Sequence, residues 1–128
     1  MATLSHSSLI AIVDDDEAIR EATQGLLQAI GYATEAFPSA EDFLASPRLN
    51  EVECLITDIQ LGGMSGLQLQ RQLGLSGFRA PIIVMTAFPE DGRRALAAGA
   101  LCVLAKPFVK DELLGNIRLA LQPGGSSP

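Results

Sequence analysis

The stretch Leu9-Ile10-Ala11-Ile12-Val13-Asp14-Asp15-Asp16 sets five apolar residues directly against three aspartates. Five residues are too few for a membrane span and suit a strand covered on both faces. From Glu17 the period changes: Ile19, Ala22, Leu26 and Ile30 recur at steps of three and four, which predicts a helix with one inward face. Asp16 fits the N-cap of that helix and Gly31 its C-cap. The aspartates therefore stand where a strand hands over to a helix.

The same alternation continues along the chain. Ala33 to Phe37 reads as a second strand, and Ser39-Ala40-Glu41-Asp42 resembles a capping box opening a short helix that Pro47 ends. Val52 to Thr57 is a third strand finishing at Asp58. A turn-rich stretch, Gly62-Gly63-Met64-Ser65-Gly66, leads into a helix to about Leu75. Pro81 opens a fourth strand, Ile82-Ile83-Val84-Met85, ending at Thr86. Pro89 to Ala98 is a weak helix, alanine-rich but carrying Gly92, with Gly99 as its cap. Leu101 to Ala105 is a fifth strand and Asp111 to Leu121 a last helix, with Leu113, Leu114, Ile117 and Leu121 inward. Five strands alternating with five helices predict an α/β fold, a single (βα)5 doubly wound parallel sheet with helices on both faces. Residues 1–8 read as an N-terminal tail, 9–121 as the one domain, and 122–128 as a flexible tail or linker stub.

Composition narrows the function. Of 128 residues 48% are hydrophobic, enough for a core, and the formal net charge is -6. That charge disfavours direct contact with nucleic acid or with anionic membranes. The N-terminus has no basic residue ahead of the apolar run, and no stretch approaches membrane-spanning length, so a cytoplasmic protein is expected. Cys54 and Cys102 each lie within a strand-like run and read as small buried hydrophobes. His6 reads as a tail residue.

Chemistry collects at the strand ends. In open parallel sheets, ligands bind beyond the carboxyl ends of the strands. There the chain offers Asp14, Asp15 and Asp16, then Asp58, then Thr86, then Lys106. Clustered carboxylates stay ionised together only beside a cation, and a hard divalent ion such as Mg2+ suits oxygen ligands. Lys106 supplies a point charge for a phosphate, and the Thr86 hydroxyl can donate to a phosphoryl oxygen. This set suits phosphoryl transfer with a carboxylate nucleophile.

Ile12-Val13-Asp14-Asp15-Asp16-Glu17, Thr57-Asp58-Ile59-Gln60-Leu61-Gly62-Gly63-Met64-Ser65-Gly66, Met85-Thr86-Ala87 and Ala105-Lys106-Pro107-Phe108 together resemble the receiver domain of two-component response regulators. The likeness runs from about Leu9 to Leu121. It implies a CheY-like, flavodoxin-like sheet with strand order 2-1-3-4-5. It implies Asp58 as phosphoacceptor, with Thr86 and Lys106 on the phosphoryl oxygens. It also implies Mg2+ (or Mn2+) held by Asp14, Asp15, Asp58 and the backbone carbonyl of Gln60. A cis bond before Pro107 would aim Lys106 at the site. The implied partners are a sensor histidine kinase or phosphotransfer protein and a downstream effector domain or protein.

The chain departs from the family pattern in four places. Leu61-Gly62 replaces the usual Met-Pro, which should loosen that loop around Gln60. Val103 stands where an aromatic usually reorients on activation. The segment from Thr86 to Lys106 looks shortened around Pro89-Glu90-Asp91-Gly92, so the helix there is expected to be short, shifted or mobile. Phe88 and Gln60 occupy the positions that gate the hydrolytic water, and a bulky Phe88 should slow self-dephosphorylation.

Three other readings compete. A haloacid-dehalogenase-type phosphohydrolase would use Asp14 as nucleophile and Asp16 as acid/base, but it leaves Asp58 idle and needs a later acidic pair for which only Asp111-Glu112 is available. A receiver-fold interaction module without phosphorylation would fit Val103 but not the complete acidic set. A flavin-binding protein of the same fold lacks its Ser/Thr-rich phosphate loop after the first strand.

Overall fold

A computed structural model describes residues 8–122. The expected tails fall outside these residues except for Ser8 and Gln122, as does His6. The elements run in strict alternation: β1 (Leu9–Val13), α1 (Glu17–Ile30), β2 (Ala33–Phe37), α2 (Ala40–Leu44), β3 (Cys54–Asp58), α3 (Gly66–Leu75), β4 (Ile82–Thr86), α4 (Pro89–Ala97), β5 (Cys102–Ala105) and α5 (Lys110–Leu121). All strand pairs are parallel, and the order across the sheet is β2-β1-β3-β4-β5, as expected.

Side chains alternate across each strand, so neighbouring residues feed opposite cores. Ile10, Ile12, Cys54, Ile56, Ile83 and Met85 pack on Leu27 of α1 and on Leu113, Leu114 and Ile117 of α5. Leu9, Ala11, Val13 and Leu55 face the other way, onto Phe43 of α2 and Leu69 and Leu73 of α3. A smaller cluster joins Val84 and Ile59 to Ala95 of α4 and to Ala100. The sheet is therefore covered on both faces, which is why β1 and β4 read as nearly unbroken apolar runs, while the edge strand β2 stays half-buried and admits Thr34 and Glu35.

The α1 stripe lies one residue off the expected one. Thr23 and Leu27 are buried and Ile19 and Leu26 half-buried, while Ala22 is exposed and Ile30 is 52% exposed. Hydrophobic periodicity counts Thr23 as polar, but its hydroxyl donates to the Ile19 carbonyl at 2.8 Å and so can be buried. The third strand begins at Cys54, two residues later than expected, because Leu49–Glu51 form a single 3-10 turn first. At Ser39 the side chain accepts from Asp42 N (3.0 Å), whereas the complete capping box lies at Ser65 and Gln68. The weak helix after Thr86 forms as α4, nine residues from Pro89, with Gly92 buried against its neighbours.

Candidate phosphoacceptor and metal site

Sheet register brings the chemical residues to one rim. Val13 pairs with Thr57, Asp58 with Met85, and Thr86 with Ala105, so Asp14, Asp58, Thr86 and Lys106 all stand at the carboxyl ends of adjacent strands. Lys106 N donates to the Thr86 carbonyl at 3.0 Å and extends that ladder by one bond. The peptide bond between Lys106 and Pro107 is cis.

Carboxylate oxygens of Asp14, Asp15 and Asp58 lie within 4.8 Å of one another. Asp14 and Asp58 are buried and Asp15 is exposed. Each is oriented by a backbone N–H: Asp16 N to Asp14 Oδ1 (2.9 Å), Gln60 N to Asp58 Oδ1 (3.1 Å) and Gly62 N to Asp15 Oδ2 (3.2 Å). Lys106 Nζ reaches Asp58 Oδ2 at 2.6 Å and lies 3.1 Å from Asp14 Oδ2. The second approach pairs charge without hydrogen-bond alignment, and Asp14 Oδ2 is left buried with no hydrogen-bond partner.

Charge explains the protonation tendencies. Burial raises the Asp14 pKa above the usual carboxylate value, against the opposing pull of the Asp16 N–H and the Lys106 ammonium. Burial works to lower the pKa of Lys106, but the Asp58 and Asp14 carboxylates outweigh it and hold the ammonium above its ordinary value. Three carboxylates share one ammonium, which leaves negative charge uncompensated. An all-oxygen donor set with an orphaned buried oxygen fits a hard divalent cation, and the residues of this site fit Mg2+.

Thr86 is buried, and its Oγ1 accepts the Phe88 N–H at 3.1 Å. The hydroxyl proton thus stays available to a ligand. Gln60 is exposed, and its amide Nε2 donates to Asp91 Oδ2 at 2.7 Å. Asp16 accepts the Ile19 N–H at 3.1 Å as the α1 cap. That bond assigns it a capping part rather than the acid/base part the phosphohydrolase reading needs.

Sequence reasoning missed Arg20. Its Nη1 donates to the Asp14 carbonyl at 2.8 Å and pins the turn that carries both aspartates. A signal was there: Arg20 is the lone Lys or Arg before Arg48, one turn into the helix that the aspartates open.

Residues 10–118 match the family model described as the response regulator receiver domain. The response regulator protein TodT of Pseudomonas putida is 42% identical over 118 residues, covering 91% of this chain and 52% of TodT. TmoT of Ectopseudomonas mendocina is 40% identical over 117 residues, covering 90% of this chain and 53% of TmoT. Among solved structures, the response regulator StyR superposes with a TM-score of 0.84 at 37% identity, covering 92% of this chain and 61% of StyR. The chain spans about half the length of the curated relatives it matches. With fold, strand-end chemistry and relatives in agreement, the chain belongs to the response-regulator receiver family.

Proposed function

We propose that this domain accepts a phosphoryl group on Asp58 and changes its partner interactions in response. The observation that carries the reading is the approach of Lys106 Nζ to Asp58 Oδ2 at 2.6 Å, inside a cluster of three carboxylates. An Asp58 carboxylate oxygen attacks phosphorus, a new P–O bond forms, and the bond from phosphorus to the donor's leaving atom breaks, giving an acyl phosphate.

Asp14, Asp15, Asp58 and the Gln60 backbone carbonyl would hold Mg2+, or Mn2+. Bound there, the cation would supply positive charge against the carboxylates and the incoming phosphoryl oxygens. Lys106 exchanges its bond to Asp58 for one to a phosphoryl oxygen. Thr86 donates its free hydroxyl proton to another. Arg20, through the Asp14 carbonyl, keeps the aspartate turn in place.

The phosphoryl donor in this reading is a sensor histidine kinase or a phosphotransfer protein, and the recipient of the signal is a downstream effector domain or protein. The domain catalyses only its own phosphorylation and dephosphorylation. In this reading residues 9–121 form the receiver unit. Among the described residues no helix is long and apolar enough to cross a membrane, and the net charge of -6 argues against direct nucleic-acid contact. The cytoplasm is the compartment consistent with this reading.

Intact mass after incubation with acetyl phosphate and Mg2+ tests it. The wild type should gain one phosphoryl group, and Asp58→Ala or chelated samples should gain none. A wild type that stays unlabelled would favour the interaction module without phosphorylation, the reading to which Val103, packed at Gly92 instead of an aromatic ring, lends its support.

A further inference from the structure

The loop from Ile59 to Ser65 carries the Gln60 carbonyl and borders the carboxylate cluster through Asp15. Leu61-Gly62-Gly63-Met64 contains no proline, and Gly63 holds φ at +74°. Two adjacent glycines leave a loop many alternative conformations. Some ties are local or belong to the site itself. Leu61 N and Gly66 N both donate to the Ile59 carbonyl, and Gly62 N donates to Asp15 Oδ2.

One tie comes from a separate element. Glu41 of α2 accepts the Met64 N–H on Oε2 at 2.9 Å. Its carboxylate also lies over Gly63, where an added Cβ would meet Oε2 at 2.8 Å and Cδ and Oε1 at 3.4 Å. A side chain at 63 would be strained at this dihedral and would push the Glu41 carboxylate away from the loop, so glycine is what permits this approach. The Met64 N–H is the chief reason the Glu41 pKa is lowered, so the acceptor is charged at neutral pH. The strap is itself anchored. Phe43, two residues on, is fully buried, with its ring edge-to-face on Phe37 (5.4 Å) and Phe78 (6.2 Å).

Taking the carboxylate cluster as the Mg2+ site proposed for it, we infer that Glu41 is a positioning residue for that site: its carboxylate holds the glycine loop down so that the Gln60 carbonyl and Asp15 are pre-set for the cation. This tether takes the place of the stiffness that Leu61-Gly62 removes. A loop ordered before the cation arrives costs less on binding.

The test uses the full chain as wild type, E41A and E41Q. Mg2+ is titrated by isothermal calorimetry, and Met64 amide exchange is followed by NMR without metal. E41A should exchange Met64 faster and bind Mg2+ about fivefold more weakly, the loss expected for one charge-assisted bond at an exposed position. E41Q keeps an acceptor oxygen and should stay within about twofold of wild type on the same scale. The inference is overturned by E41A binding like wild type, or by E41Q binding as weakly as E41A while its Met64 amide stays protected, since affinity would then follow charge and not the tether. A wild type that binds no Mg2+ overturns the metal-site reading and this inference with it. A wild type that binds while E41A is unaltered removes Glu41 alone.

Discussion

The Lys106 ammonium stands 2.6 Å from Asp58 Oδ2, and its side chain is only 13% exposed. Removing it as Lys106→Met leaves Asp14 and Asp58 buried beside each other with no counter-charge. Breaking a shielded pair in this way typically costs about 1–3 kcal/mol. The metal-free domain should unfold at lower denaturant concentration, and adding Asp58→Asn should return part of the loss. Equal midpoints for wild type and Lys106→Met would show that the pair contributes nothing.

Asp14 sets a pH dependence. Its folded pKa is raised, so folding favours its protonated form, and this contribution weakens as pH rises from the ordinary carboxylate value through the raised one. Mg2+ bound at the proposed site would act against that loss by compensating the ionised group. The rise in melting temperature on adding Mg2+ should thus be larger at neutral pH than near pH 4, read by scanning fluorimetry with an external dye. Lys106, also raised, contributes fully below its ordinary value of 10.5 and loses that contribution only as pH climbs through the folded value.

Gly92 and Gly115 should respond oppositely to alanine. At Gly92 an added Cβ would meet Val103 Cγ1 at 2.8 Å and Thr86 Cγ2 at 3.7 Å, and a β-branched strand residue cannot easily swing aside. Gly115 has nothing within 4 Å. Gly115→Ala should stabilise by about 0.5–1 kcal/mol through helix propensity. Gly92→Ala should destabilise by about 1 kcal/mol or more, and Val103→Ala in the same chain should relieve the clash. Urea midpoints of the single and double variants decide the matter.

Phe88 is 54% exposed at the start of α4, tied to Thr86 through its own N–H. Phe88→Ala keeps that backbone bond and removes only the ring. If the ring hinders the hydrolytic water, the acyl phosphate of the variant should decay several-fold faster in a phosphate-release assay. An unchanged lifetime would count against the ring as a barrier.

Cys54 is buried in β3, and burial pushes its thiol up to about 12. The thiolate is the reactive form, so a maleimide at neutral pH should leave Cys54 intact in the folded protein and label the half-buried Cys102 first. Rapid modification of both would show that the strand opens.

Fold class was legible because buried parallel strands appear as apolar runs, and Leu9–Val13 and Ile82–Thr86 announce themselves that way, whereas the half-buried edge strand Ala33–Phe37 carries Thr34 and Glu35. The inward face of α1 was less legible, since a buried Thr23 satisfied by its own helix looks polar in sequence. The site's named residues were visible because each closes a strand. Their helpers were harder to see, Arg20 being marked only by its isolation in the chain. Arg20 and Glu41 act through backbone atoms of Asp14 and Met64, and a contact to a carbonyl or an N–H places no demand on the partner's residue type.

The order of apolar runs and the polar residues that end them already specified an α/β sheet with an acidic rim, because local period and strand-end position are written in the chain itself. Which carboxylate Lys106 would meet, that Asp14 Oδ2 would lie buried without a hydrogen bond, and that α2 would reach the glycine loop were settled only by tertiary packing. Glu41 and Met64 are 23 residues apart in the chain, and Asp58 and Lys106 are 48 apart. Their closeness in space comes from sheet register and helix docking, which no local pattern encodes.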